Sequence, residues 1–180
     1  ALVNALGRAL GGAGSKVLFC CGGPPMPQTN SNMCAMGGLY RSAHEFIAIF
    51  KSGTASHVNN VQLGAHGRNR TNVWSYPGLS SFGRGRRQAL AWHPTVKNLA
   101  MVGDAILDAT NPGCLVLDPF GGSGTTAIAA QRTRRRAALI ELDPEYCDRI
   151  LRRFCDATGI EPVNAWTGER VCRKPRKDEA

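Results

Sequence analysis

"LVLDPFGGSGTTAIAAQ", running from Leu115 to Gln131, decides the fold of this chain. An apolar run ends in Asp118, gives way to Gly121, Gly122 and Gly124 with Thr125 and Thr126 behind them, and then turns apolar again. That order reads as a buried strand, a tight turn and the start of a helix. Such a turn sets backbone amides beside a ligand, which leaves the question of which ligand.

Outward from the turn, Asn98 to Ala109 places Leu99, Val102, Ile106 and Leu107 on one helical face, closed by "NPG". Downstream, Thr125 to Arg132 reads as a helix and "AALIEL" as a strand ending near Glu141. Pro144 opens a last helix to about Thr158, with the proline at its favoured first position. This α-β-α-β-α series implies an α/β fold with a doubly wound, mostly parallel sheet.

The N-terminal half is less regular. "LVNALGRAL" has helical spacing, "KVLFCC" (Lys16 to Cys21) reads as a short buried strand, "GGPPMPQTNSN" as a loop, and "HEFIAIFKSG" (His44 to Gly53) as a second strand. Thr54 to Gln88 is polar, rich in Asn and Arg, and punctuated by Gly. That is too long for an idle connection in a compact domain, so the segment is expected to be functional or partly disordered. The charged tail "RKPRKDEA" is expected to fray. "RTRRR" (Arg132 to Arg136) follows a helix, where solvated cations compensate the helix C-terminus.

The composition restricts what the chain does. At 180 residues and 43% hydrophobic, it can bury the core of one domain. A net charge of +9 from scattered Arg and Lys suits a protein that meets a polyanion, with nucleic acid as the leading partner. The seven cysteines include no C-x-x-C pair, which argues against a zinc site or disulfide framework and for a reducing, cytoplasmic compartment. No apolar run approaches the roughly 20 residues of a bilayer span. The chain opens at Ala1 without Met and already with helical spacing, so a piece of a longer protein is expected.

Gly122-x-Gly124-x-x-Ala127 fits the dinucleotide fingerprint, with Glu141 about twenty residues on to accept ribose hydroxyls. NAD and S-adenosylmethionine both satisfy this pattern; a P-loop is excluded because no Lys follows the last glycine. Asp118 tips the balance, since a pyrophosphate would face its negative charge whereas an ammonium and a sulfonium would be attracted by it. "HPTVK" (His93 to Lys97) adds a pre-proline bend, a hydroxyl and an ammonium suited to an amino-acid carboxylate. Taken singly, Thr95 reads equally as a helix N-cap and Lys97 as a solvated first-turn residue.

"HPTVK", "LDPFGGSGTT" and "IELDPEY" together resemble the consecutive motifs of the DNA N-methyltransferases that make N6-methyladenine or N4-methylcytosine, in the circular order with the cofactor motifs last. "YRSAHEFIAIFKSG" and "NNVQLGAHGRNRTNVWSYPG" are similar to the segment joining the catalytic half to the cofactor half in phage-like and plasmid-like members. The resemblance implies a partial Rossmann-like methyltransferase fold: residues 1–52 end the catalytic half, 53–92 form a DNA-contact loop, 93–160 hold the cofactor, and 161–180 are a tail. It implies S-adenosylmethionine as cofactor, with Asp118, Phe120, Gly122, Gly124, Thr125 and Thr126 around its methionine part and Glu141 on the ribose. His93, Pro94, Thr95 and Lys97 would complete the pocket. The family has Pro after the motif lysine where this chain has Asn98, so slightly looser local geometry is expected there.

In the family, an Asp, Asn or Ser followed by Pro-Pro and an aromatic accepts hydrogen bonds from the target amine and stacks the flipped base. No such tetrapeptide occurs here: in "GGPPMP", Gly23 and Met26 stand in the acceptor and stacking positions. The catalytic motif is expected upstream of Ala1, no catalytic residue is assigned, and the chain alone is expected to hold cofactor without turning over. For the partner, double-stranded DNA, the donor-plus-aromatic composition of Arg68, Asn69, Arg70, Asn72 and Trp74, extended by Arg84 and Arg86, suits phosphate contact and base stacking. The plainer alternative is a solvated loop pinned to the core by Trp74. N6-adenine is slightly preferred over N4-cytosine. Two competing functions are a nicotinamide-dependent oxidoreductase, disfavoured by Asp118, and a DNA-binding module that has lost catalysis.

Overall fold

The computed structural model describes residues 16–22, 46–67, 69–76 and 96–171, with residues 16–22 and 66 through their backbone alone. Two compact units divide the chain: Ala1–Arg86 with Asp104–Asn111, and Arg87–Gly103 with Pro112–Ala180.

In the first unit, β1 (Lys16–Gly22) pairs antiparallel with β2 (Phe46–Ser52), Lys16 opposite Ser52 and Gly22 opposite Phe46. β2 ends at Ser52, one residue before its sequence suggests, and Gly53 just beyond it takes φ 92°, which turns the chain out of the ladder. The stretch after it is built from side-chain hydrogen bonds rather than from a ladder. Asn59 Oδ1 accepts from the amides of Val61 and Gln62, both at 3.2 Å, an Asx turn. Asn60 serves the end of helix α1 (Leu99–Ala109), whose last turns belong to this unit. Its amide donates to Asp108 O at 2.9 Å and its Nδ2 to Leu107 O and Thr110 O at 2.8 Å, satisfying carbonyls that a helix C-terminus leaves bare.

The second unit carries the β-α-β core. β3 (Leu115–Asp118) and β4 (Arg136–Leu139) pair in parallel, Leu115 opposite Arg136 and Asp118 opposite Leu139, with α2 (Thr125–Arg132) between them in sequence. Helix α3 (Pro144–Thr158) follows, capped by Asp143, whose side chain accepts from Glu145 N, and closed by Gly159 in the left-handed conformation. Both helices fall where the sequence places them. Ile128, Ala129 and Ala130 of α2 are buried, as are Ile150 and Cys155 of α3.

Several details depart from expectation. On α1 the buried residues are Met101 and Ile106, while Leu107 is 42% exposed, so the apolar face is rotated from the one the spacing suggested. β3 is half-buried rather than buried, with Leu115 54% exposed, because among the described residues only β4 pairs with it. β4 stops at Leu139, two residues before Glu141. Arg135 is buried instead of solvated and donates to Thr133 O at 2.5 Å, because the chain must turn sharply from α2 into β4 with Arg134 at φ 59°. The start of α1 is not loosened by the missing proline: Asn98 Oδ1 accepts from Ala100 N at 2.9 Å and Met101 N at 3.2 Å, a side-chain N-cap in its place. Residues 160–171 form a small hairpin bridged between Val163 and Arg170, which the sequence did not signal. Among the described residues, no helix is long and apolar enough to cross a membrane.

Candidate functional site

The glycine turn leaves the C-terminal end of β3, the edge at which α/β sheets bind ligands. Its glycines answer geometric demands. Gly122 and Gly124 have φ of 52° and 72°, where a side chain is strained. A Cβ on Gly124 would meet Ile150 Cγ2 at 2.8 Å, so this glycine also lets the turn sit directly on α3.

Two carboxylates hold the turn from either side. Asp118 Oδ1 accepts from Phe120 N at 3.1 Å, and its Oδ2 accepts from the Thr126 hydroxyl at 2.7 Å, spanning the turn from strand to helix. Glu141 Oε2 accepts from Gly122 N at 2.6 Å, while its Oε1 accepts from Leu142 N at 2.9 Å and Asp143 N at 3.2 Å. Gly121 N donates to Ile140 O and Gly124 N to Gly121 O, both at 2.8 Å. The amides of Phe120, Gly121, Gly122 and Gly124 are thus engaged within the protein, and the turn is a poor cradle for a pyrophosphate, which needs such donors and would meet two carboxylates. A ligand bearing an ammonium and a sulfonium suits the same surroundings.

The sequence-derived residues do not all behave alike. Phe120 is 72% exposed beside the turn. Thr126 bonds Asp118, whereas Thr125 is buried and its hydroxyl is turned to Ser123 Oγ at 3.0 Å and to the Arg153 guanidinium at 3.0 Å. Lys97 lies half-buried ahead of α1, its carbonyl 3.5 Å from the Thr125 hydroxyl. His93, Pro94 and Thr95 lie outside the described residues. Arg153 is the participant that sequence reading missed. It follows the exposed Arg152 in "LRRF", and only its place three residues beyond Ile150, on the α3 face beneath the turn, sets it apart.

A second cluster lies in the first unit. Arg70 Nη1 pairs with Asp108 Oδ1 at 3.0 Å and its Nη2 lies 3.5 Å from Asp104 Oδ2, with the guanidinium 4.4 Å from the centre of the Trp74 ring. Tyr76 donates a short hydrogen bond to Asp104, and its ring meets Trp74 edge-on at 6.4 Å. Burial first, and then the Asp104 carboxylate, push the Tyr76 hydroxyl up to about 12. Burial raises Asp108 as well, against the lowering effect of Arg70. Arg70 and Trp74 are thus tied to α1, while Asn69 and Asn72 are exposed. Arg68, Arg84 and Arg86 lie outside the described residues.

Comparison with known proteins agrees with this picture. The family model described as DNA methylase, of the N6/N4 type, matches residues 24–152. The DNA adenine methyltransferase YhdJ of Escherichia coli is 40% identical over 83 residues, 46% of this chain and 27% of that protein. The type II methyltransferase M.HpaI of Haemophilus parainfluenzae is 33% identical over 119 residues, 66% of this chain and 34% of that protein. The chain therefore spans about a third of these relatives. Among solved structures, the PvuII cytosine-N4-specific DNA methyltransferase superposes with a TM-score of 0.51 at 22% identity, covering 64% of this chain and 42% of that one, and it shares the fold.

Proposed function

The chain belongs to the N6/N4 DNA methylase family, and on that premise we propose that it is the cofactor-binding half of an S-adenosylmethionine-dependent enzyme methylating the exocyclic amine of adenine or cytosine in double-stranded DNA. The observation that carries this reading is the glycine turn between Asp118 and Glu141, both fixed by hydrogen bonds within the protein. Such pre-organisation spares the ligand the cost of ordering its site.

The cofactor supplies an electrophilic methyl group on its sulfonium. The protein's part is to bind and orient. Asp118 and Phe120 face the cationic methionine end, the glycines allow close approach to the backbone, and Glu141 offers a fixed carboxylate to the ribose. By the family resemblance, His93, Pro94, Thr95 and Lys97 complete the set of cofactor-binding residues. Accepting the amine's hydrogen bonds and stacking the flipped base need an Asp-Pro-Pro-aromatic type of segment, which this sequence lacks, so the chain binds cofactor and does not turn over by itself.

For DNA, the exposed amides of Asn69 and Asn72 are the direct contacts, with Arg68, Arg84 and Arg86 adding charge. Arg70, held by Asp104 and Asp108 and lying over the Trp74 ring, fixes the stretch that carries Asn69 and Asn72. Transfer of labelled methyl groups to duplex DNA tests the whole reading, with a polypeptide carrying the missing tetrapeptide fused ahead of Ala1 or added in trans. Label on adenine or cytosine amines in the reconstituted sample alone is the expected outcome. Cofactor binding without methylation in any reconstituted sample would leave the DNA-binding module as the better description.

A further inference from the structure

Arg153 is a half-buried cation aimed at the backbone. Its Nη1 donates to Ser123 O at 2.5 Å and to Thr125 Oγ1 at 3.0 Å. Burial lowers its affinity for a proton, a cost that a solvated arginine avoids by pointing outward, as exposed Arg152 does. Ile150, one turn earlier on α3, packs against Gly124. These two side chains of one helix therefore seat the turn, Ile150 by contact and Arg153 by charge-assisted hydrogen bonds.

The Thr125 hydroxyl extends the arrangement. While it accepts from Arg153, its own proton is available to Ser123 Oγ at 3.0 Å or to Lys97 O at 3.5 Å. One buried hydroxyl thus stands where three segments of the second unit meet: the glycine turn, α3, and the residues leading into α1.

We propose that Arg153 is a positioning residue of the cofactor site: acting through Ser123 O and Thr125 Oγ1, it fixes the glycine turn on α3 and draws the Lys97 segment toward it. Thr125 accordingly belongs to the support of the site rather than to its ligand-facing wall, which Thr126 and Asp118 form. The effect on S-adenosylmethionine rests on the cofactor reading above; the effect on the turn does not.

The test combines calorimetric titration with S-adenosylmethionine and hydrogen exchange of the ligand-free protein, on wild type, Arg153→Met, Arg153→Lys, Thr125→Val and the Arg153→Met/Thr125→Val double variant. Arg153→Met is expected to speed exchange at Gly124 and Ile128 while leaving β1 and β2 unchanged, and to weaken S-adenosylmethionine about tenfold, the loss of a charge-assisted hydrogen bond. Arg153→Lys, which can still donate to Ser123 O, should fall in between. The double variant should be little worse than the worse single one, because both remove the same support. Unaltered exchange in the turn, or fully additive effects, would overturn the proposal. If wild type binds no S-adenosylmethionine the cofactor reading fails, and exchange alone decides the role of Arg153. Should Arg153→Met fail to fold, Arg153→Lys and Thr125→Val decide by whether acceleration is confined to the turn.

Discussion

The amide of Gly122 donates to Glu141 Oε2 at 2.6 Å across 19 residues, so the carboxylate expected at the ribose is also a staple of the glycine turn. The same side chain takes the amides of Leu142 and Asp143. Glu141→Ala strands these donors and is expected to cost about 1–3 kcal/mol of stability as well as cofactor affinity. Glu141→Gln keeps one oxygen acceptor and should fall between the two in urea denaturation.

Gly124 separates backbone strain from crowding. Gly113 has φ 81° with nothing within 4 Å of an added Cβ, whereas at Gly124 (φ 72°) the added carbon meets Ile150 Cγ2 at 2.8 Å. Gly113→Ala should cost about 1–2 kcal/mol for the left-handed backbone alone. Gly124→Ala should cost a further ~1–3 kcal/mol for overpacking, and thermal unfolding of the two variants reads the difference.

Asn98 is the N-cap of α1, accepting from Ala100 N and Met101 N. Asn98→Ala should lower stability by about 1 kcal/mol, and Asn98→Asp should leave it nearly unchanged, since either an amide or a carboxylate oxygen can cap. Equal losses in both variants, measured by denaturant midpoint, would assign the stabilisation to something other than the cap.

Tyr76 sets an alkaline limit. Its hydroxyl is pushed from 10.0 up to about 12, so the folded state favours the neutral phenol. The stabilisation is therefore complete below the ordinary tyrosine value and fades as pH rises from about 10 towards 12. Stability measured across that window should decline, and Tyr76→Phe should flatten the part of the decline due to this residue.

The β-α-β core was legible because its signals are local. The strand-turn-helix at Asp118 to Thr125 and the proline at Pro144 each act through their own backbone geometry. What escaped depends on which way a helix faces. Spacing marks an apolar stripe on α1 but cannot say that Met101 and Ile106 face inward while Leu107 does not. Arg152 and Arg153 are identical in sequence and opposite in role, because α3 turns only the second towards Ser123. Asn60 capping α1 from 47 residues away, and Arg70 pairing with Asp108 across 38, are long-range pairings that no local pattern reports.

Titration of the purified chain with S-adenosylmethionine, with NAD in parallel, in wild type and Asp118→Ala, shows which cofactor the glycine turn takes and whether Asp118 holds it. Asp118 holds Phe120 N and Thr126 Oγ1 and would face the cationic end of the ligand. Saturable binding of S-adenosylmethionine, weakened at least about tenfold by Asp118→Ala and absent for NAD, is the predicted result. Binding of NAD in place of S-adenosylmethionine, or S-adenosylmethionine affinity indifferent to Asp118, would contradict it.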